Sequence, residues 1–195
     1  MKCCCKLLKK DTFIQGVPVE ICPSCGLITK QNYISLKEEK KRYDAHRCDD
    51  GYKRYMEALF TKLEQYIKGS TLDYGCGQIH YLADILTSNH IPSAFYDLHY
   101  FPKLPSQTFD TIILVEVFEH LKETYEELLN IKKLLNPKGR IILVTKPYDG
   151  VDLDTWWYFR DNTHVSFIKK DTLLHWDLNM RLIEQKGDIF VLESI

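Results

Sequence analysis

The chain has 195 residues, enough for one globular domain with a small appendage but too few for two large domains. It carries 26 Lys and Arg against 27 Asp and Glu, a formal net charge of -1, so its overall charge does not favour nucleic acid, although a local basic patch stays open. Apolar runs fall well short of the roughly 20 residues that span a bilayer, and the start Met1-Lys2-Cys3 lacks the apolar core of a signal peptide. We therefore expect a soluble, cytoplasmic protein with no membrane partner.

Cysteines crowd the beginning of the chain, where five of the seven precede Gly26. In a reducing compartment such crowding favours metal ligation over disulfides. Cys22-Pro-Ser-Cys25-Gly26 is typical of half a zinc ribbon, with two thiolates on a tight turn. Its other half has to come from the cluster at residues 3–5, which lacks that spacing. We expect Cys3 and Cys5 to complete a closed, structural zinc site with Cys22 and Cys25, the alternative being a degenerate ribbon without metal.

Composition divides the chain into three parts: a Cys-rich head at 1–34, a helical link or lid at 35–69, and an α/β body at 70–195. The link is charged but periodic, and Gly69 is expected to stop it. Apolar or aromatic residues recur at spacings of three and four, as one face of a helix requires: Tyr52, Tyr55, Met56, Leu59, Leu63, Tyr66 and Ile67.

The body alternates strand and helix patterns. We predict strands at 70–73, 93–96, 111–115 and 140–145, the last two being β-branched runs typical of strands buried on both faces. Two helices are predicted between them, one with a buried stripe of Ile79, Leu82, Ala83 and Leu86, and one with Leu128, Leu129, Ile131 and Leu135 that ends at the turn 136–139. Two tail strands, 181–185 and 189–192, flank the turn Lys186-Gly187, at least one of them antiparallel. The predicted fold is a doubly wound, mainly parallel, Rossmann-like sheet with an antiparallel hairpin at its end.

A glycine turn follows the first strand of the body, in the segment Leu72-Asp73-Tyr74-Gly75-Cys76-Gly77. Ligands of open parallel sheets bind beyond the carboxyl ends of the strands, and glycines let them approach the backbone closely. Asp97 ends the next strand, where a carboxylate can accept both ribose hydroxyls of an adenosine-type ligand. This pair alone does not separate NAD from S-adenosylmethionine. The acid before the turn would repel a pyrophosphate but not a sulfonium or an amino group, which favours S-adenosylmethionine.

With these motifs in order, residues 36–195 resemble the class I S-adenosylmethionine-dependent methyltransferases. The glycine turn is similar to the first cofactor motif of that family, 109–116 to its fourth strand, and 136–147 to the turn and fifth strand. The terminal hairpin is the family's usual ending. The flanks around Arg42-Tyr43 and Trp157-Tyr158 resemble a poorly characterised branch with a Cys-rich head. The resemblance implies S-adenosylmethionine as the cofactor and implies a contact set of Asp73, Gly75, Cys76, Gly77, Asp97, Leu98 and Glu116.

Two departures from the family pattern stand out. Ile79 replaces the third glycine, which either widens the turn or changes how the methionine end is held. The segment between Asp97 and Phe109 is too short for a full helix and the usual third strand. We therefore expect an abbreviated adenine side and assign no residue that contacts adenine.

Catalytic candidates follow the fourth and fifth strands, near the expected mouth of the pocket: Glu119, His120, Tyr158 and His164. Each also has a structural interpretation. Glu119 and His120 could cap the next helix, the aromatic run 156–159 could be a packing lid, and His164 could be a hydrogen-bonded core histidine. Tyr43 and His46 either close over the cofactor or lie on a solvated helical face.

Glu116, Glu119, His120 and His164 together resemble the divalent-metal site of small-RNA 3′-terminal 2′-O-methyltransferases, and two carboxylates with two imidazoles suit such an ion. The same segment occurs in relatives without metal, and the chain is not basic. We predict methyl transfer to an oxygen, nitrogen or carbon of an unidentified acceptor, with a small molecule favoured. An RNA ribose methyltransferase, a cofactor-binding module without turnover and, last, an NAD oxidoreductase are the alternatives.

Overall fold

The computed structural model describes residues 10–195, so Cys3, Cys4 and Cys5 lie outside the described residues. Its strands form two sheets. The smaller is antiparallel, in the order β1-β2-β3-β8. Its strands are β1 (Lys10–Ile14), β2 (Val17–Ile21), β3 (Ile28–Lys30) and β8 (Ser166–Phe167). The head therefore shares a sheet with a segment of the body, while the proposed boundary at residue 34 stays a prediction based on composition.

The larger sheet has the order β5-β4-β6-β7-β10-β9. Its first four strands run parallel and the last two are antiparallel to their neighbours. They are β4 (Thr71–Tyr74), β5 (Ser93–Tyr96), β6 (Phe109–Val115), β7 (Leu135–Val144), β9 (Met180–Lys186) and β10 (Ile189–Ser194). This confirms the predicted mainly parallel sheet with an antiparallel terminal hairpin.

Five α-helices lie within the described residues. They are α1 (Leu36–Asp44), α2 (Asp50–Leu63), α3 (Tyr81–Ser88), α4 (Thr124–Lys132) and α5 (Trp157–Arg160), with 3-10 turns at Glu64–Tyr66, Phe118–His120 and Thr172–His175. No helix in this part of the chain is long and apolar enough to cross a membrane.

The helical link consists of two helices, because each begins with its own cap. At α1 the Ser35 hydroxyl accepts from the Glu38 amide while the Glu38 side chain accepts from the Ser35 amide. At α2 the Asp49 carboxylate accepts from the amides of Gly51 and Tyr52. Most of the predicted face of α2 packs inward, but Tyr55 is 44% exposed. Met56, Leu59 and Leu63 are buried in one cluster with residues of α3, β6 and β7.

Two positions of the predicted helices were wrong. Ile79 is not part of a buried stripe: it is 36% exposed in the loop before α3. Leu135 does not belong to α4, which ends at Lys132. It begins β7 and pairs with Phe109, because the Phe109 amide donates to the Leu134 carbonyl and so draws this segment into the sheet. The predicted turn 136–139 accordingly lies at the start of β7.

The stretch between β5 and β6 contains no helix and only an isolated bridge between Asp97 and Phe101. The described sheet therefore ends at β5, as expected for a segment too short for a full helix and a third strand, while the abbreviated adenine side stays a prediction. Cys22 and Cys25 are 1% and 2% exposed and belong to the same core cluster as Ile168 and Leu173. The described part of the head is therefore packed on the body.

Candidate active site

The glycine turn leaves the end of β4 and bends back under β5. Amides of Gly75 and Cys76 both donate to the Tyr96 carbonyl, at 2.7 and 3.1 Å. Gly75 has a φ of +85°, and a Cβ there would lie 2.4 Å from Cγ2 of Val117, so no side chain fits. Gly77, at a φ of +72°, faces open space within 4 Å. One glycine is thus needed for packing, whereas the other leaves room for a ligand.

Asp97 holds the tip of this turn. Its Oδ2 accepts from the Gly77 amide at 3.0 Å, and its Oδ1 accepts from the amides of His99 and Tyr100 at 2.8 and 3.1 Å. Leu98, the next residue, is 57% exposed. The structure thus brings together the turn and the predicted ribose acid, and a carboxylate has about four lone-pair sites, one more than these amides use.

Asp73 lies beneath the turn and not on its surface. It is 3% exposed and accepts a hydrogen bond from the Ala83 amide of α3. Burial raises the pKa of Asp73 to about 7, and the nearby Asp97 carboxylate adds to the rise. Cys76 is also buried, and burial raises the pKa of its thiol, so it remains a neutral packing group.

Two glutamates after β6 share one phenol. The Tyr158 hydroxyl lies 2.5 Å from Oε1 of Glu119 and 3.1 Å from Oε2 of Glu116. Thr145 donates to the other oxygen of Glu119 at 2.9 Å, and Lys146 lies 3.5 Å from Glu116. Glu119 is fully buried, and burial raises the pKa of both acids, that of Glu116 to about 7. Near neutral pH the pair therefore tends to retain a proton.

The two predicted histidines lie side by side, with ring centroids 4.8 Å apart. Nδ1 of His120 is 3.0 Å from the Thr163 carbonyl, and Nδ1 of His164 is 2.9 Å from the Tyr158 carbonyl. A carbonyl only accepts, so both Nδ1 atoms must carry the proton and both Nε2 atoms keep a lone pair. Burial lowers the pKa of both rings, that of His164 to about 4. Both imidazoles are therefore neutral near pH 7 and able to accept a proton or a cation.

Glu119, His120 and His164 offer one ligand atom each within 4.8 Å of one another. The capping role considered for Glu119 and His120 was wrong, because α4 begins only at Thr124 and has no side-chain cap. Glu119 is 0% and Tyr158 1% exposed, because the short helix α5 turns Tyr158 and Phe159 inward and leaves Trp157 and Arg160 on the surface. His120 is half-buried. The position of these residues near the substrate mouth stays a prediction.

Helix α1 covers this cluster through polar contacts. The Tyr43 hydroxyl donates to Glu39 at 2.9 Å and meets Nδ1 of His120 at 3.0 Å. Asp44, the last residue of α1, accepts from the Tyr100 hydroxyl at 2.7 Å. Arg42 pairs with Asp161, 3.0 Å away, in the loop after α5. The lid interpretation of Tyr43 therefore agrees with the geometry better than a solvated face.

Sequence reasoning missed the residues that orient the cluster. Thr145 and Thr163 supply a hydroxyl to Glu119 and a carbonyl to His120. Lys30 binds the loop that carries His164. Thr145 lies in the segment 136–147 that resembles the fifth strand of the family, and Thr163 lies in the flank that begins at Trp157. No local pattern marks these threonines or Lys30 as orienting residues.

Comparisons with known proteins agree with this fold. A family model described as methyltransferase domain matches residues 40–177. Among solved structures, a SAM-dependent methyltransferase from Archaeoglobus fulgidus aligns with a TM-score of 0.53 at 14% identity, over 83% of this chain and 100% of that chain. Magnesium protoporphyrin IX methyltransferase from Synechocystis PCC 6803, with bound SAH, aligns with a TM-score of 0.50 at 13% identity, over 82% of this chain and 94% of that chain. N-methyltransferase NodS from Bradyrhizobium japonicum WM9, in complex with SAH, aligns with a TM-score of 0.50 at 16% identity, over 80% of this chain and 97% of that chain. At these identities the structural likeness concerns the fold. Among curated proteins, no significant match is found.

Proposed function

Since the chain belongs to the family of methyltransferase domains and is an S-adenosylmethionine-dependent methyltransferase, we propose that it methylates a small molecule bound against Glu119, His120 and His164. The observation that carries the proposal is the group of Glu119, His120 and His164, which offers a carboxylate oxygen and two imidazole nitrogens within 4.8 Å of one another. A site closed by α1 suits a compact acceptor better than a polymer. The net charge of -1 also gives no general attraction for RNA.

The residues of the turn fit the cofactor. Open space at Gly77 admits a ligand against the backbone, and Asp97 keeps acceptor capacity for ribose hydroxyls. Leu98, exposed beside Asp97, would contact the adenosine part. Gly75 and Cys76 shape the turn. Asp73 and Glu116, whose pKa values are both raised to about 7, are partly ionised at neutral pH, and their ionised forms would favour a sulfonium and an amino group.

S-adenosylmethionine supplies, when bound, a methyl group on an already activated sulfonium. The protein then has to position the acceptor, which can contribute about 7–11 kcal/mol. An Nε2 atom of His120 or His164 would accept the proton that an acceptor hydroxyl or ammonium group loses. General-base catalysis is typically worth about 10²–10⁴-fold, and the lowered pKa of His164, about 4, makes it a weak base that would act at the lower end of this range. Tyr158 holds this arrangement from two sides, because its hydroxyl binds Glu119 and its carbonyl fixes His164.

Calorimetry with S-adenosylhomocysteine and a turnover panel of catechol, histamine and benzoate test this function. We expect binding in the micromolar range or tighter, and turnover of at least one acceptor. His164→Ala should reduce kcat by about 10²-fold with cofactor affinity retained, while His175→Ala, a partly exposed histidine outside the site, should change neither. Failure to bind the cofactor refutes the proposal, and binding without turnover on any acceptor favours the module without turnover.

The same cluster supports a second candidate function, metal-assisted methylation of an RNA ribose. Histidines that bind a metal commonly donate their other N–H to a backbone carbonyl, as His120 and His164 do here. Glu119 completes three donors, and Glu116 lies next to it through Tyr158. A divalent ion would also offset the burial of these carboxylates.

Mn²⁺ titration followed by electron paramagnetic resonance distinguishes the two functions. The RNA function requires Mn²⁺ binding that His164→Ala abolishes. It also requires methylation of a short RNA that stops when its terminal 2′-hydroxyl is removed. Turnover of a small acceptor that persists in a chelator excludes the metal-assisted function.

For the head we propose a structural zinc ion. The Gly26 amide donates to the Cys22 carbonyl at 2.9 Å, and Gly26 has a φ of +73°, so Cys22 and Cys25 lie on one tight turn. The expected partners, Cys3 and Cys5, fall outside the described residues. Metal analysis of the purified protein tests the ion, and absence of near-stoichiometric zinc refutes it.

A further inference from the structure

Lys30 is a buried cation next to the loop that follows α5. It lies at the end of β3 and is only 4% exposed. Its Nζ donates to the carbonyls of Phe159 and Asp161, at 2.7 Å each, and sits 4.5 Å from the centre of the Phe159 ring. Lysine is almost never fully buried without partners, so these contacts define a specific site for its ammonium group.

Burial is unfavourable for this charge, and the arrangement compensates for it. Desolvation lowers the pKa of Lys30 to about 8, while the Asp161 carboxylate acts in the opposite direction. The amine therefore still carries its proton at neutral pH and donates to both carbonyls. Hydrogen bonds from a charged donor are roughly twice as strong as neutral ones, so a loop held this way is restrained more firmly than one held by surface contacts.

The backbone of Lys30 holds the same loop at a second point. Its amide donates to the Val165 carbonyl at 2.8 Å, where β3 pairs with β8. The side chain thus binds the loop before His164 and the main chain binds it after His164. The Val165 amide in turn donates to the Glu119 carbonyl at 2.7 Å, which connects the loop to the end of β6.

We propose that Lys30 is a positioning residue of the methyl-transfer site: by holding residues 159–165 on both sides of His164, it fixes that imidazole beside Glu119 and His120. The role rests on the proposed function of the cluster. It gives the head a part in the reaction, because a strand of the head supplies the residue that orients a side chain of the body.

Three variants test this role. Lys30→Met keeps the stem over Phe159 but removes both hydrogen bonds, and Lys30→Arg keeps the charge while moving the donors. The matched control is Lys132→Met, which deletes two similar bonds, to the carbonyls of Leu178 and Asn179 at 2.9 and 3.0 Å, far from the site. The measurements are amide hydrogen exchange of residues 156–166, S-adenosylhomocysteine affinity, and kcat with whichever acceptor of the panel turns over fastest.

For Lys30→Met we expect at least tenfold faster exchange in 156–166 and a kcat lower by about 10–100-fold, with S-adenosylhomocysteine affinity within twofold of wild type. Lys30→Arg should restore part of the slow exchange and part of kcat. Lys132→Met should lower the unfolding midpoint without changing exchange in 156–166 or kcat. Wild-type exchange in 156–166 of Lys30→Met refutes the positioning role, as does a kcat loss no larger than that of Lys132→Met. If Lys30→Met does not fold, Lys30→Arg decides by the same exchange measurement. If wild type itself turns over no acceptor, the proposed function fails, while exchange still decides the role of Lys30.

Discussion

Asp73 provides a test of how burial sets ionisation beneath the glycine turn. Its pKa is raised from 3.8 to about 7, mainly by burial. The native state therefore binds this proton more tightly than the unfolded chain does. The stability that Asp73 contributes is fully present below pH 3.8 and is lost as the pH rises through 7. At about 1.4 kcal/mol for each pKa unit, the cost of ionising the buried group at high pH is about 4 kcal/mol at most.

Asp73→Asn removes this cost but keeps an oxygen that can accept from the Ala83 amide. We expect its free energy of unfolding to exceed that of wild type by up to about 4 kcal/mol near pH 9, and the gain to disappear below about pH 4. Urea unfolding followed by circular dichroism across this range measures the difference. Since the variant also loses negative charge beside the cofactor, its affinity for S-adenosylmethionine should fall as its stability rises.

Asp110→Asn is the control, because we expect it to change the free energy of unfolding in the opposite direction near pH 9. Asp110 accepts from the Ser70 amide and from Asn136, both at 2.8 Å, and these bonds lower its pKa. Its stabilising effect is present above pH 3.8 and is lost as the pH falls through the lowered value. Asp110→Asn should therefore destabilise the protein near pH 9 and less so in acid. If Asp73→Asn destabilised the protein near pH 9 and less so in acid, as expected for Asp110→Asn, Asp73 would be a charged, well-paired group and the reasoning from burial would be refuted.

Three further predictions concern single side chains. Gly75→Ala places a methyl group 2.4 Å from Val117 and should abolish S-adenosylhomocysteine binding in calorimetry. The control Gly187→Ala, with nothing within 4 Å, should cost only about 1–3 kcal/mol of backbone strain. Equal losses of binding in the two variants would contradict the packing role of Gly75. Arg42→Ala removes an exposed ion pair of α1 worth at most about 1 kcal/mol, yet S-adenosylhomocysteine should dissociate several-fold faster in stopped-flow experiments if α1 acts as a lid, and an unchanged rate would argue against it. Glu119→Gln should fold but lose any Mn²⁺ binding, so retained binding would exclude Glu119 as a ligand.

Local patterns predicted the features that depend on neighbouring residues. The strand at 93–96 has the predicted bounds, because Pro92 and Asp97 delimit a short apolar run. The glycine turn also emerged from sequence, since positive φ angles and a Cβ clash leave few alternatives to glycine at Gly75. Leu135 was misassigned because its pairing with Phe109, distant in sequence, outweighs its helical spacing from Ile131.

The orientation of the site could not be read from the sequence. The tautomers of His120 and His164 depend on the backbone carbonyls of Thr163 and Tyr158. Every residue has a backbone carbonyl, so no residue type in the sequence marks these partners. Lys30 is the last residue of the short buried strand β3. In the sequence it resembles a surface lysine at the end of a strand, until the pairing of β3 with β8 is known. Such contacts arise from tertiary structure, which local sequence propensities do not predict.

The pairing of β3 with β8 has a consequence for synthesis. Residues 28 and 167 are neighbours in the sheet, so β3, which pairs with β2 on one side, keeps its other edge unpaired until β8 has left the ribosome. Contacts between segments so far apart in sequence form slowly, and an unpaired strand edge promotes association in the meantime. We expect nascent chains that stop short of β8 to aggregate through this edge, so that the order of translation places the assembly of the His164 loop among the last steps of folding.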